Sequence, residues 1–149
     1  MRIYILFVLS FITVMATPVR AQGALDDLFN AAKVNDVAVV RQFLDRGMDP
    51  GSTDKDGWTP LHYAAFQGHP EVARYLLENG AEIEAKAPNG ATALMFAARQ
   101  GHIEVVKLLL ARSANATVQT ESGATALKWA LQTQNTDIAA LLRKAGATE

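Results

Sequence analysis

Apolar positions along this chain recur at an interval far longer than the turn of a helix or the pleat of a strand. Leu28, Leu61, Leu94 and Leu127 stand 33 residues apart, and so do Ala31, Ala64, Ala97 and Ala130. Val39, Val72, Val105 and Ile138 keep the same interval, followed by Phe43, Leu76, Leu109 and Leu142. A fixed period of this length marks one supersecondary unit repeated along the chain. Four copies tile about 24-55, 56-88, 89-121 and 122-147. Inside the second copy the local signals predict two helices. Asp56-Gly57 suits a tight turn with positive φ, Thr59 caps a first helix with Pro60 in its first turn, and Gly68 ends that helix in the left-handed conformation. Val72, Tyr75, Leu76 and Asn79 fall at helical spacing, predicting a second helix from about Glu71 to Asn79 that Gly80 closes. The Ala64-Ala65 pair lets neighbouring helices approach closely.

The run Thr59-Pro60-Leu61-His62-Tyr63-Ala64 matches a T-P-L-H-x-A signature in full. With the 33-residue register, it makes the chain resemble ankyrin-repeat proteins. The resemblance implies an all-α solenoid of stacked helix-turn-helix units joined by β-hairpin loops, covering residues 22-149. The third copy keeps Gly90, Thr92, Leu94 and Gly101-His102, but has Ala93 and Met95 where the signature has Pro and His, which weakens a cap. The fourth puts Gln134-Asn135 where Gly-His stood and adds Lys128 and Lys144, as a carboxy-terminal capping repeat would. The first copy lacks the hairpin motif and carries Asp26, Asp27 and Lys33 outside, as an amino-terminal cap would. Atypical ends keep such a stack from exposing its core.

Ahead of the repeats, Ile3 to Met15 form an uncharged apolar run preceded by Arg2 and followed by Ala16-Thr17-Pro18-Val19-Arg20-Ala21. The run is shorter than the roughly 20 residues a spanning helix needs, and small residues stand at a cleavage point after Ala21. Residues 1-21 read as a secretory signal peptide. Its removal leaves a mildly acidic product in a periplasm, or secreted, with no stable membrane anchor. With the export signal, the chain resembles small periplasmic ankyrin-repeat proteins of bacteria.

Composition narrows the chemistry. The 149 residues carry a formal net charge of -1 and no cysteine, which excludes disulfides, thiolate nucleophiles and Cys-ligated metal. Lys and Arg are scattered singly, so no basic stripe favours nucleic acid. The resemblance assigns His62 to hydrogen bonds within and between repeats. His69 and His102 lie one repeat apart, but zinc wants three or four ligands and no third His or Cys stands near. Glu71 and Glu104 sit in first turns of second helices, where a carboxylate favours the helix dipole. No phosphate-cradling, nucleophile-elbow or zincin motif occurs. The expectation is no enzyme, no cofactor and no metal.

What remains is binding. The resemblance places contacts on the concave side, formed by hairpin tips and the exposed edge of the first helices. The partner-binding candidates are Lys55, Asp56, Trp58, Phe66, Gln67, Arg99 and Gln100, with Asn89, Ala91, Glu121, Gln132 and Thr133 beside them. Trp58 and Phe66 read equally as an interface hot spot and as packing, Trp58 on the adjacent hairpin and Phe66 on Arg99. Tyr63, Phe96 and Trp129 share one repeat position and are expected to make the inter-repeat stack. The expected function is a non-catalytic, monomeric module binding another protein. The alternatives are a binder of a small molecule, metal or haem through His69, His102 and the aromatics, or an inhibitor or accessory of an envelope enzyme.

Overall fold

The structure, a computed structural model, describes residues 18–148. Among the described residues eight helices follow one another: α1 (Pro18–Lys33), α2 (Val37–Asp45), α3 (Pro60–Gln67), α4 (Pro70–Glu78), α5 (Ala93–Gln100), α6 (Ile103–Ala111), α7 (Ala126–Gln132) and α8 (Thr136–Lys144). Each consecutive pair packs as one unit. The first helices stack in the order α1, α3, α5, α7 and the second helices in the order α2, α4, α6, α8, giving two parallel layers. The fold is the all-α solenoid the resemblance implies.

The cap differences between copies are differences in hydrogen bonding. At α3, the Thr59 Oγ1 accepts the His62 N–H at 3.3 Å, while the Thr59 N–H donates to His62 Nδ1 at 3.0 Å, so two orphan donors of the helix start are satisfied reciprocally. At α7 the Thr125 Oγ1 accepts the Lys128 N–H at 3.1 Å. At α5, where Ala93 and Met95 replace Pro and His, Thr92 makes no side-chain cap bond and its buried Oγ1 has no partner among the described residues. The cap weakened in sequence is the cap unmade in structure. Gly68 ends α3 at φ 79°, and a Cβ there would overlap the His102 ring of the next unit, so its lack of a side chain serves both backbone and packing.

The hairpin loops are tighter than strands require. Each closes on two backbone bonds: Asp54 N–H to the Trp58 carbonyl at 3.0 Å, Ala87 to Ala91 at 2.9 Å and Thr120 to Ala124 at 2.9 Å, with Gly57, Gly90 and Gly123 donating back to the Asp54, Ala87 and Thr120 carbonyls. The Glu121 N–H reaches the Asn89 carbonyl at 3.2 Å, joining the last two tips. No strand forms among the described residues. The ends depart most from the repeat. Helix α1 has 16 residues against 7 to 9 in the others. It begins upstream of the first copy and runs through the expected cleavage point after Ala21, while residues 1-17 of the expected signal peptide lie outside the described residues.

The core follows the period. Leu28, Leu61, Leu94 and Leu127 are buried, with Val72 and Val105, Leu76, Leu109 and Leu142, and the paired alanines between inner helices. The first copy breaks step: Val39 and Phe43 are only partly buried where Val72 and Leu76 are fully so. Among the described residues no unit packs on the outer side of α1 and α2, and the face that Val72 and Leu76 turn toward a neighbour stays uncovered there.

Candidate functional site

The inner layer carries a continuous row of aromatic rings. Phe29 of α1 meets Tyr63 of α3 edge to face at 6.1 Å between centroids, Tyr63 meets Trp58 at 5.1 Å, Trp58 meets Phe96 of α5 at 4.4 Å, and Phe96 meets Trp129 of α7 at 6.0 Å. Phe66 joins from the side, 5.8 Å from Trp58 and 6.2 Å from Phe96. The row exists because one position of the repeat, held by Tyr63, Phe96 and Trp129, returns at the same place on every inner helix, and Trp58 bridges two of them from the hairpin. Phe96 is buried, while Tyr63, Trp58, Phe66 and Trp129 keep part of their surface in solvent. Such pairs add to the area they bury and hold one another's rotamers.

Two cations lie on this row. The Lys33 Nζ sits 4.2 Å above the Tyr63 ring, and the Arg99 guanidinium 5.3 Å from the Trp129 ring. Arg99 thus stacks on the fourth unit, whereas one of the two sequence readings set Phe66 against it. Trp58 is a half-buried packing residue at the centre of the row. Lys55, Asp56, Gln67, Arg99 and Gln100 are exposed as expected, together with Asn89, Glu121, Gln132 and Thr133. Ala91 is the correction among the contact candidates: it is fully buried, because its N–H is turned in to the Asn89 Oδ1 at 3.1 Å and its carbonyl closes the hairpin.

Sequence reasoning passed over Asp54, which organises the first tip. Its Oδ1 accepts the Asp56 and Trp58 N–H groups, each at 2.9 Å, and its Oδ2 accepts the Tyr63 hydroxyl at 2.5 Å. The signal was available as an Asp two residues before the Asp56-Gly57 turn, the place for an Asx-type bond. Burial pushes the Asp54 carboxyl up, but the bonds from Tyr63, Trp58 and Asp56 and the charge of Lys33 outweigh it, and its pKa lies below the ordinary value. Burial and the Asp54 carboxylate push the Tyr63 phenol well above its usual range. The Asp54 to Tyr63 bond therefore stays a phenol donating to a carboxylate at neutral pH.

The three histidines hold the stack. His62 receives the Thr59 N–H on Nδ1, so its Nε2 carries the proton and donates to the Ala85 carbonyl of the next hairpin at 2.9 Å. Its burial pulls the pKa below the ordinary 6.5 despite that bond. His69 Nε2 donates to the Lys33 carbonyl and His102 Nε2 to the Phe66 carbonyl, both at 2.9 Å. Asn135, where the fourth copy lacks His, donates through Nδ2 to the Ala98 carbonyl at 3.0 Å. These donors are committed to carbonyl oxygens, and no group of three His, Asp or Glu able to hold a metal forms among the described residues. Glu71 and Glu104 are exposed in first turns, with Glu104 paired to Lys107 at 3.0 Å.

At the amino-terminal end of the row, α1 and the first hairpin tip bound a cleft of about 450 Å³, lined by Asp26, Phe29, Lys33, Asp54, Asp56 and Tyr63 among others. No helix among the described residues is long and apolar enough to cross a membrane.

A family model for ankyrin repeats in three copies matches residues 25–87 and 83–148. Among curated proteins, the chain is 46% identical over 43 residues to a putative ankyrin repeat protein of Fowlpox virus (strain NVSL), covering 29% of this chain and 30% of that one. It is 44% identical over 43 residues to the protein VAPYRIN-LIKE of Medicago truncatula, covering 29% of this chain and 9% of that one. The chain thus spans less than a third of the curated relatives it matches. The matched family covers nearly all the described residues, and the stacked helix pairs and the capping box at Thr59 and His62 supply its structural counterpart: the chain belongs to the ankyrin-repeat family.

Proposed function

We propose that this protein is an exported, non-catalytic binding module that holds a partner protein on its inner-helix and hairpin-tip face. Ankyrin repeats generally mediate protein–protein interaction and are typically non-catalytic. The observation that carries the choice of face is the aromatic row: its partly exposed rings are fixed by ring-to-ring contact and flanked by the exposed Lys55, Asp56, Gln67, Arg99 and Gln100. Side chains already ordered lose less conformational entropy on binding than those of a loop. Residues 1-21 act as a signal peptide cleaved after Ala21, and the product works in the periplasm or outside the cell. Export is supported by the pattern of one Arg, an apolar run and small residues at the cleavage point.

A photo-crosslinking residue placed at Gln67 or Gln100, and at Glu71 or Glu104 on the outer helices, tests the face in the native cell. A partner trapped from the first pair of positions and not the second is the expected result. Crosslinks confined to Glu71 and Glu104 would overturn it. Amino-terminal sequencing of the exported protein tests the processing: a chain starting at Gln22 is expected, and one starting at Met1 would refute cleavage.

A further inference from the structure

The cleft at the amino-terminal end of the aromatic row combines the partly exposed Tyr63 ring, backed by the buried Phe29, with carboxylates. Phe29 and Tyr63 line it at 6.1 Å from each other, and Asp26, Asp54 and Asp56 supply three acids against the two cations Lys33 and Lys55. Asp54 is spent on the hairpin and on the Tyr63 hydroxyl, so it positions the ring. The carboxylates of Asp26 and Asp56 are exposed and make no hydrogen bond or ion pair among the described residues. Lys33 is the telling residue. Its ammonium stands 4.2 Å over the Tyr63 centroid, which shows that this ring face admits a cation, yet no carboxylate among the described residues lies within salt-bridge distance to hold it there. A lysine tethered by a flexible four-carbon stem, held by a ring and by the charge of Asp54 without an ion pair, can leave for water when another cation takes its place.

We propose that this cleft binds a guanidinium or alkylammonium group, presented by an arginine or lysine side chain of the partner, which displaces Lys33 from the Tyr63 ring and pairs with Asp26 and Asp56. The site rests on the partner-binding reading only for the source of the cation. A planar guanidinium stacks on an aromatic face and is less strongly hydrated than an ammonium, so an incoming arginine exchanges favourably for the resident lysine.

Titrating the purified protein with N-acetylarginine amide while following the Tyr63 ring resonances by NMR tests the site without any partner. A saturable shift is expected, stronger for the arginine than for the lysine amide. Lys33→Ala tightens binding by roughly threefold, the size of one cation–π contact. Asp26→Asn with Asp56→Asn weakens it by about as much. Both carboxylates are exposed, and an unchanged thermal midpoint confirms that the double variant keeps the fold. An equal response to the uncharged citrulline amide, no saturable shift in either the native protein or Lys33→Ala, or loss of binding in Lys33→Ala would overturn the proposal. A short peptide with one central arginine binds more tightly than the amide if the cation comes from a protein. Equal affinities would overturn that clause in favour of a small free cation. Saturable amide binding without crosslinks at Gln67 or Gln100 would sink the partner reading and leave the cleft standing.

Discussion

Replacing threonine by valine at the starts of α3, α5 and α7 should give different outcomes from the same chemical change. Thr59, Thr92 and Thr125 are all buried, between 1% and 4% exposed, so exposure does not distinguish them. Hydrogen bonding does. The Thr59 hydroxyl accepts the His62 N–H at 3.3 Å and lies 3.1 Å from His62 Nδ1, and Thr125 accepts the Lys128 N–H at 3.1 Å. Losing such a cap costs about 0.5–2 kcal/mol. The Thr92 hydroxyl has no partner among the described residues, so the folded state already carries the desolvation penalty of a buried unpaired group, about 1–3 kcal/mol. Thr92→Val removes that penalty and should be neutral or stabilising, while Thr59→Val and Thr125→Val should each lose about 1 kcal/mol. Urea unfolding reads the difference directly: at an m-value of about 1–3 kcal/mol/M, a loss of 1 kcal/mol lowers the midpoint by roughly 0.3–1 M with the slope unchanged. A Thr92→Val variant that loses as much as Thr59→Val would refute the reasoning, for it would show that the hydroxyl at α5 has a partner after all.

Gly68→Ala should destabilise by clearly more than Gly47→Ala, because both glycines have positive φ but only the Cβ at residue 68 would overlap a neighbouring ring, that of His102. Gly47→Ala is expected to cost about 1 kcal/mol, and equal urea midpoints for the two would contradict the account. The pH dependence of stability has a definite sign. His62 and Asp54 both titrate below their ordinary values, so the unfolded chain binds more protons, and the stability each contributes above its unfolded pKa is lost as pH falls. The decline from His62 begins below about pH 6.5 and that from Asp54 only below about pH 4. A thermal midpoint flat above pH 7 and falling toward pH 5, with the fall reduced in His62→Met, is expected; a midpoint that rises on acidification would contradict it.

Most of the architecture was legible because it depends on spacing. A side chain that returns every 33 residues must return to one place on a stacked unit, so the buried leucines, the alanine pairs and the aromatic position could be read before any contact was known. What escaped depends on partners brought together across units. Nothing local says that Lys33 will lie over Tyr63, 30 residues on, or Arg99 over Trp129, also 30 residues on. Val39 escaped for a related reason: it has the repeat's apolar identity but lacks, among the described residues, a neighbouring unit that would bury it. Asp54 was missed because its role joins a local turn to a side chain on the next helix.

Where the stack begins can be traced to the hydrogen-bonding sign of one side chain. The residue ahead of each second helix is His69, His102 and Asn135 in the last three units, and each is a donor reaching back to a carbonyl in the closing turn of the preceding inner helix. Those carbonyls have no partner within their own helix, so each donor satisfies a group that the junction would otherwise bury unpaired. The fourth unit shows that the donor matters more than the ring, since an amide substitutes for an imidazole at the same oxygen-facing position. In the first unit the residue is Asp36, which has only acceptor oxygens when ionised, and its Oδ1 turns instead to the Val39 N–H at 3.0 Å as the cap of α2. A further unit docked ahead of α1 in the same register would set a carbonyl against that carboxylate, two acceptors with no proton between them. Among the described residues, the same repeat position therefore joins one unit to the next through a donor in the last three units and caps its own helix through an acceptor in the first.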